Sequence, residues 1–134
     1  GYVESIRGRR RPFHFDRNGL GRLLGKDPLE IDLDVARRGG MEAQQLRAAA
    51  NAPIQGSSAD IIKVAMVQLQ AALKSQGLPA RLLLQVHDEL VLEVEPSALD
   101  AARDLVVQTM ENAVQLSVPL VAETGVGADW MEAK

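Results

Sequence analysis

Residues Gln85 to Val94 read QVHDELVLEV, and this stretch leaves the chain the least structural freedom. Leu82, Leu84 and Val86 alternate with Leu83 and Gln85 ahead of His87-Asp88-Glu89, and Leu90, Leu92 and Val94 alternate with Val91, Glu93 and Glu95 behind it. A period of two marks half-buried strands, so residues 82–95 are predicted to form a hairpin with a polar tip. Two neighbouring carboxylates at such a tip repel each other unless solvent or a cation compensates. A hard divalent ion such as Mg²⁺ accepts this kind of oxygen ligand, usually one or two carboxylates with phosphate and water completing the shell. An isolated H-D-E tripeptide is more often a solvated turn than a site; two rigid flanking strands make it a candidate metal site.

The remaining composition sets bounds. With 134 residues, 46% of them hydrophobic but only 3% aromatic, the chain can build one domain whose core is filled by Leu, Val, Ile and Ala. It has no cysteine, which excludes disulfides and thiolate zinc sites and suits a reducing cytoplasm. No secretory leader pattern opens it, and no apolar run nears the roughly 18 residues that span a bilayer; a soluble protein without a membrane partner is expected. The chain begins Gly1-Tyr2-Val3 without an initiator methionine, and part of something longer is the favoured explanation.

Charge is unevenly placed. Ten of the fifteen Lys and Arg residues lie at or before Arg47, against seven of the eighteen acidic ones, a balance of +3 that leaves −6 for the rest. A basic part joined to an acidic part that bears the Asp-Glu turn suits a molecule that holds a polyanion with one region and cations with the other. Ordinary surface variation produces the same asymmetry.

Along the chain, Tyr2 to Ile6 is a short apolar lead-in to a basic turn, Gly8-Arg9-Arg10-Arg11-Pro12. Phe13 to Gly40, with Gly19, Gly21, Gly25, Gly39, Gly40 and Pro28, reads as a connecting excursion holding at most short helical pieces. Residues 1–40 are therefore set apart from 41–134. Met41 to Asn51 is rich in helix formers and is predicted to stop near Pro53. A second helix is predicted to start at an N-cap in Gly56-Ser57-Ser58, to bury Ile62, Ala65, Met66, Leu69 and Leu73, and to end near Gly77 and Pro79. After the hairpin, Ser97 with Asp100 resembles a short capping box for a third helix whose buried stripe is Leu99, Ala102, Val106, Met110 and Ala113. Val118 to Glu123 is a candidate final strand. The expected class is α+β, a small antiparallel sheet with its hairpin packed against helices.

The order GRRR, RAAANAPIQGSSADIIKVAM, LLLQVHDELVLEV and GADWMEAK strongly resembles the C-terminal end of family A DNA polymerases of the bacterial DNA polymerase I type. The resemblance covers most of the chain except the Phe13 to Gly40 region. It implies the palm, with the trailing part of the fingers, of a larger right-hand-shaped enzyme that adds deoxynucleotides to a primer 3′-hydroxyl in DNA replication or repair, in a bacterial cytoplasm beside the nucleoid. By resemblance, Asp88 is one of two aspartates that hold the catalytic ions, Glu89 is the adjacent supporting carboxylate, and His87 lies near the primer terminus. Two Mg²⁺ ions, with Mn²⁺ as a substitute, are the implied cofactors. Two-metal phosphoryl transfer needs charge neutralisation and in-line positioning more than covalent help. Arg47, Asn51 and Gln55, four residues apart, match side chains that approach the primer-template minor groove, although Pro53 interrupts the spacing. Purine N3 and pyrimidine O2 acceptors occur there in every base pair, so such donors test pairing shape without reading sequence. Arg9, Arg10 and Arg11 match a basic turn that meets the nucleic-acid backbone, where contacts position the duplex and make affinity salt-dependent.

The implied partners are primer-template DNA, deoxynucleoside triphosphates, and the upstream fingers, thumb and remaining palm. Two family elements are not present in these residues: the strand motif D-Y-S-x-I-E-L-R with the first metal aspartate, and the fingers helix with the nucleotide-binding Arg and Lys. The isolated chain is therefore expected to be inactive. Alternatives are a non-catalytic nucleic-acid-binding palm remnant, a single-subunit RNA polymerase, and a metal phosphohydrolase, for which His14 and His87 supply too few histidines.

Overall fold

The structure is a computed structural model that describes residues 1–16, 20–23, 25–26 and 40–133. Its elements are strands β1 (Tyr2–Glu4) and β2 (Arg10–Pro12), a 3-10 turn (Leu20–Leu23), helix α1 (Met41–Gln76), strands β3 (Ala80–Val86) and β4 (Glu89–Val94), a second 3-10 turn (Pro96–Ala98) and helix α2 (Leu99–Glu111). The mixture of helices with small antiparallel sheets agrees with the α+β expectation. Two compact units divide it, Gly1–Ser57 and Ser58–Lys134.

In the first unit, the apolar lead-in and the basic segment pair as an antiparallel hairpin, Tyr2 opposite Pro12, Val3 opposite Arg11 and Glu4 opposite Arg10. The Arg-rich segment is thus mostly strand and not turn. Its loop closes through Gly8 N–H to Ser5 O at 2.9 Å and Ser5 N–H to Arg9 O at 3.0 Å. Gly8 has φ 75°, the left-handed value that a three-residue hairpin loop asks of its last position. Of the predicted excursion, Leu20–Leu23 is a short helical piece; Gly19, Pro28 and Gly39 lie outside the described residues.

α1 is one 36-residue helix with Pro53 inside it, not two helices separated near Pro53 and restarted at Gly56-Ser57-Ser58. Proline removes one N–H and crowds the carbonyl four residues back, at a cost of about 3 kcal/mol. A helix this long recovers that cost elsewhere, because once nucleated each added residue brings a hydrogen bond and its buried stripe brings packing. The Ser57 hydroxyl, read as an N-cap, instead donates to Pro53 O at 2.6 Å within the helix.

α1 ends as the sequence indicated. Gly77 takes φ 61°, its N–H donates to Lys74 O at 3.3 Å, and Leu78 N–H reaches Leu73 O at 3.2 Å. This pair of bonds is the Schellman motif, which satisfies carbonyls left open by the last turn.

In the second unit the buried apolar residues include Ile62, Ala65, Leu69 and Leu73 from α1, at three- and four-residue spacing, and Ala98, Ala102 and Ala113 from the region of α2. Leu69 is 0% exposed. Met66, Leu99, Val106 and Met110 are half-buried. Two expectations fail. Residues 96–98 make a 3-10 turn, so α2 starts at Leu99 after Ala98 with no side-chain cap, and Ser97 does not close a capping box. Residues 118–123 form no strand: Pro119 offers no donor, and the Ala122 N–H bonds to Glu111 Oε1 at 3.1 Å instead of to a strand edge. At the end of the chain Asp129 Oδ1 accepts from Met131 and Glu132 N–H at 2.9 and 3.0 Å, and closes a tight turn.

Candidate functional site

β3 and β4 pair antiparallel from Ala80 opposite Val94 to Val86 opposite Glu89, which leaves His87 and Asp88 as a two-residue turn. His87 holds φ 53°, the left-handed conformation that hairpin turns of this length require at their first position. The Gln85 side-chain amide donates to the His87 carbonyl and braces the turn. His87, Asp88 and Glu89 are all exposed, so the two carboxylates are solvated and accessible to a cation. One feature was not legible: the register slips between Leu82 and Leu84, leaving Leu83 as the extra residue of a β-bulge, which increases local twist.

The other acidic residues of the hairpin are less suited to a site at its tip. Glu93 faces Arg81 across the ladder and is bound by it at 2.5 Å. Among the described residues no group of three or more His, Cys, Asp or Glu side chains could hold a metal ion. By themselves Asp88 and Glu89 could fill at most one or two positions in the shell of a hard cation such as Mg²⁺.

Arg47, Asn51 and Gln55 stand on one uninterrupted helix, contrary to the reservation raised by Pro53. With about 100° between successive residues, a four-residue step drifts by about 40°, so all three share one face. All three are exposed and present donors.

The three arginines of the basic segment have distinct environments. Arg9 Nη2 donates to Gly56 O in α1 at 2.9 Å. Arg10 Nε bonds Glu4 Oε1 at 2.6 Å and its guanidinium stacks 4.4 Å from the Tyr2 ring centroid. Arg11 lies 5.2 Å from the Phe13 ring centroid. Arg11, Phe13 and His14 also line an open cleft of about 440 Å³ with Met41, Gln44 and Gln45. Sequence reasoning missed the anchoring of this hairpin by Gly56 and Ser57, because both were read as the entry to a helix.

Residues 1–132 match the family model described as DNA polymerase family A. The chain belongs to DNA polymerase family A. Among relatives, it is 53% identical over 134 residues to DNA polymerase I of Synechocystis, covering 100% of this chain and 13% of that protein. It is 47% identical over the same length to the thermostable DNA polymerase I of Thermus filiformis, covering 100% of this chain and 14% of that one. Among solved structures, the POL domain of Pol1 from M. smegmatis, in complex with DNA primer-template and dNTP, superposes with a TM-score of 0.75 at 43% identity, covering 99% of this chain and 20% of that chain. The chain thus spans about an eighth of the curated relatives' length. No helix among the described residues is long and apolar enough to cross a membrane.

Proposed function

We propose that this family A chain forms the palm part of a DNA-directed DNA polymerase, in which the β3–β4 tip carries the carboxylates that bind the catalytic cations. The observation that carries the reading is the exposed Asp88-Glu89 pair on a rigid hairpin tip, together with the chain's family. When bound, Mg²⁺ ions neutralise charge at the transferring phosphoryl group and lower the cost of ionising the attacking hydroxyl. Asp88 is the ligand carboxylate, Glu89 supports it, and Mn²⁺ can stand in for Mg²⁺. His87 donates to a phosphate or sugar oxygen at the primer end.

Primer-template DNA and deoxynucleoside triphosphates, the molecules in the complex of the M. smegmatis relative, are the proposed partners here as well. Arg47, Asn51 and Gln55 donate to the base-pair acceptors of the minor groove, and the shared helix face gives the three a common orientation. Arg10 and Arg11 approach the sugar-phosphate backbone. Upstream fingers, thumb and palm segments supply the second metal aspartate and the nucleotide-binding cations, so the chain alone extends no primer.

The test is primer extension by the polymerase that contains this chain. Asp88→Ala should abolish extension while leaving primer-template affinity within a few-fold of the parent. Extension retained by that variant removes Asp88 from the metal site. A parent protein that binds DNA but never extends a primer supports instead a non-catalytic palm remnant.

A further inference from the structure

Three contacts converge on the single turn of α1 that contains Pro53. The Ser57 hydroxyl donates to Pro53 O at 2.6 Å and accepts the Ile6 N–H at 2.8 Å. Arg9 Nη2 donates to Gly56 O at 2.9 Å. The loop of the β1–β2 hairpin seats directly on the glycine: a Cβ added at Gly56 would meet Ser5 Cβ at 3.3 Å and Arg9 Nη2 at 3.7 Å. The first contact is tighter than usual, so a side chain at this position would press against Ser5.

The location matters because Pro53 removes the rung to Ala49 O in the turn before it, and proline is a common origin of helix kinks, so the segment after Pro53 is the part of α1 whose direction the ladder holds least. Gln55 lies in that segment, two residues after Pro53 and one before Gly56. Its direction relative to Arg47 and Asn51 depends on how the segment beyond the missing rung is held. A guanidinium bonded to a carbonyl and a hydroxyl that both donates and accepts are well suited to hold it, since hydrogen bonds to charged donors are stronger than neutral ones.

We propose that Arg9 and Ser57 are positioning residues, a clamp between the β1–β2 hairpin and the Pro53 turn that aims Gln55 at the primer-template, and that Arg9 acts through Gln55 and not as a phosphate contact. The proposal rests on the reading of Gln55 as a minor-groove donor. It divides the basic segment by role: Arg9 faces the helix, whereas Arg11 stacks on Phe13 and pairs with no carboxylate among the described residues.

The experiment uses the polymerase containing this chain, with Arg9→Met, Ser57→Ala, Ser57→Thr, Gln55→Ala and the Arg9→Met/Gln55→Ala double variant. In primer-template binding, a lost phosphate contact lowers the slope of log affinity against log salt by about one; Arg9→Met should leave that slope unchanged. In extension from a mispaired primer end relative to a paired one, Arg9→Met and Ser57→Ala should each raise the ratio. Ser57→Thr, which keeps the hydroxyl, should restore it. The double variant should exceed Gln55→Ala by less than twofold, since residues acting in one chain of contacts are not additive. Independently of DNA, Ser57→Ala should speed hydrogen exchange in the peptide containing Ile6 by roughly two- to tenfold, the worth of one hydrogen bond.

A slope that falls by one in Arg9→Met, or additive effects of Arg9→Met and Gln55→Ala, overturns the proposal. A Gln55→Ala that leaves mispair extension unchanged removes the minor-groove reading and with it the role assigned to Arg9, while the exchange rate at Ile6 still decides whether the clamp exists.

Discussion

His87 combines a proposed role at the primer end with a backbone conformation that is unfavourable for its residue type, and the two can be separated by substitution. At φ 53° an L-residue pays about 1–2 kcal/mol, which glycine does not. Glycine in turn enlarges the unfolded ensemble, a loss of about 0.4–1 kcal/mol relative to alanine. At the middle of the two ranges the balance favours His87→Gly over His87→Ala by about 0.8 kcal/mol of local hairpin stability, roughly a fourfold difference in an opening equilibrium. Hydrogen exchange of the peptide spanning residues 80–95, measured in the polymerase, reads this directly: exchange should be slower in His87→Gly than in His87→Ala. Primer extension should fall in both, because both lack the imidazole. Exchange in His87→Gly equal to or faster than in His87→Ala would refute the conformational argument, and undiminished extension in both would refute a role for the side chain.

Three further outcomes follow from packing and backbone geometry. Leu69→Ala, at a position 0% exposed, should lower unfolding stability by about 2–5 kcal/mol in denaturant titration; a loss under about 1 kcal/mol would mean the site collapses around the cavity. Gly77→Ala forces a side chain into φ 61° and should cost about 1 kcal/mol, visible as faster exchange in the last turn of α1. Arg81→Ala breaks the ion pair with Glu93, but the two side chains are 73% and 62% exposed, so the change in stability should stay below about 1 kcal/mol; a larger loss would show that the pair is not screened by solvent.

Local signals in the sequence located the candidate site better than they located the joints of the fold. The β3–β4 hairpin was legible because both strands alternate around a polar tripeptide, although the turn takes only His87 and Asp88 and Glu89 already begins β4. The bulge at Leu83 was not, since three successive leucines carry no mark that tells which one is extra. Pro53 misled for a physical reason: the proline rule is local, whereas the persistence of α1 depends on the buried stripe from Ile62 to Leu73 beyond the defect. Ser57 looked like a cap because serine hydroxyls favour helix starts, yet here the hydroxyl joins Pro53 to Ile6. The β1–β2 hairpin was hidden by its size, three residues per strand, too short for any periodicity. Residues 118–123 had strand composition without a strand to pair with among the described residues. The family resemblance, carried by QVHDEL and NAPIQG at their spacing, survived these local errors because it did not depend on them.

The polymerase reading stands or falls with Asp88 as a ligand of a catalytic cation. The most direct measurement is a Mn²⁺ titration of the polymerase bound to primer-template, followed by electron paramagnetic resonance, for the parent and for Asp88→Asn. Asp88→Asn, which keeps the side-chain shape but removes its charge, should lose at least one of the tight Mn²⁺ sites along with primer extension. An unchanged number and affinity of Mn²⁺ sites in Asp88→Asn would show that Asp88 is not a ligand of these ions.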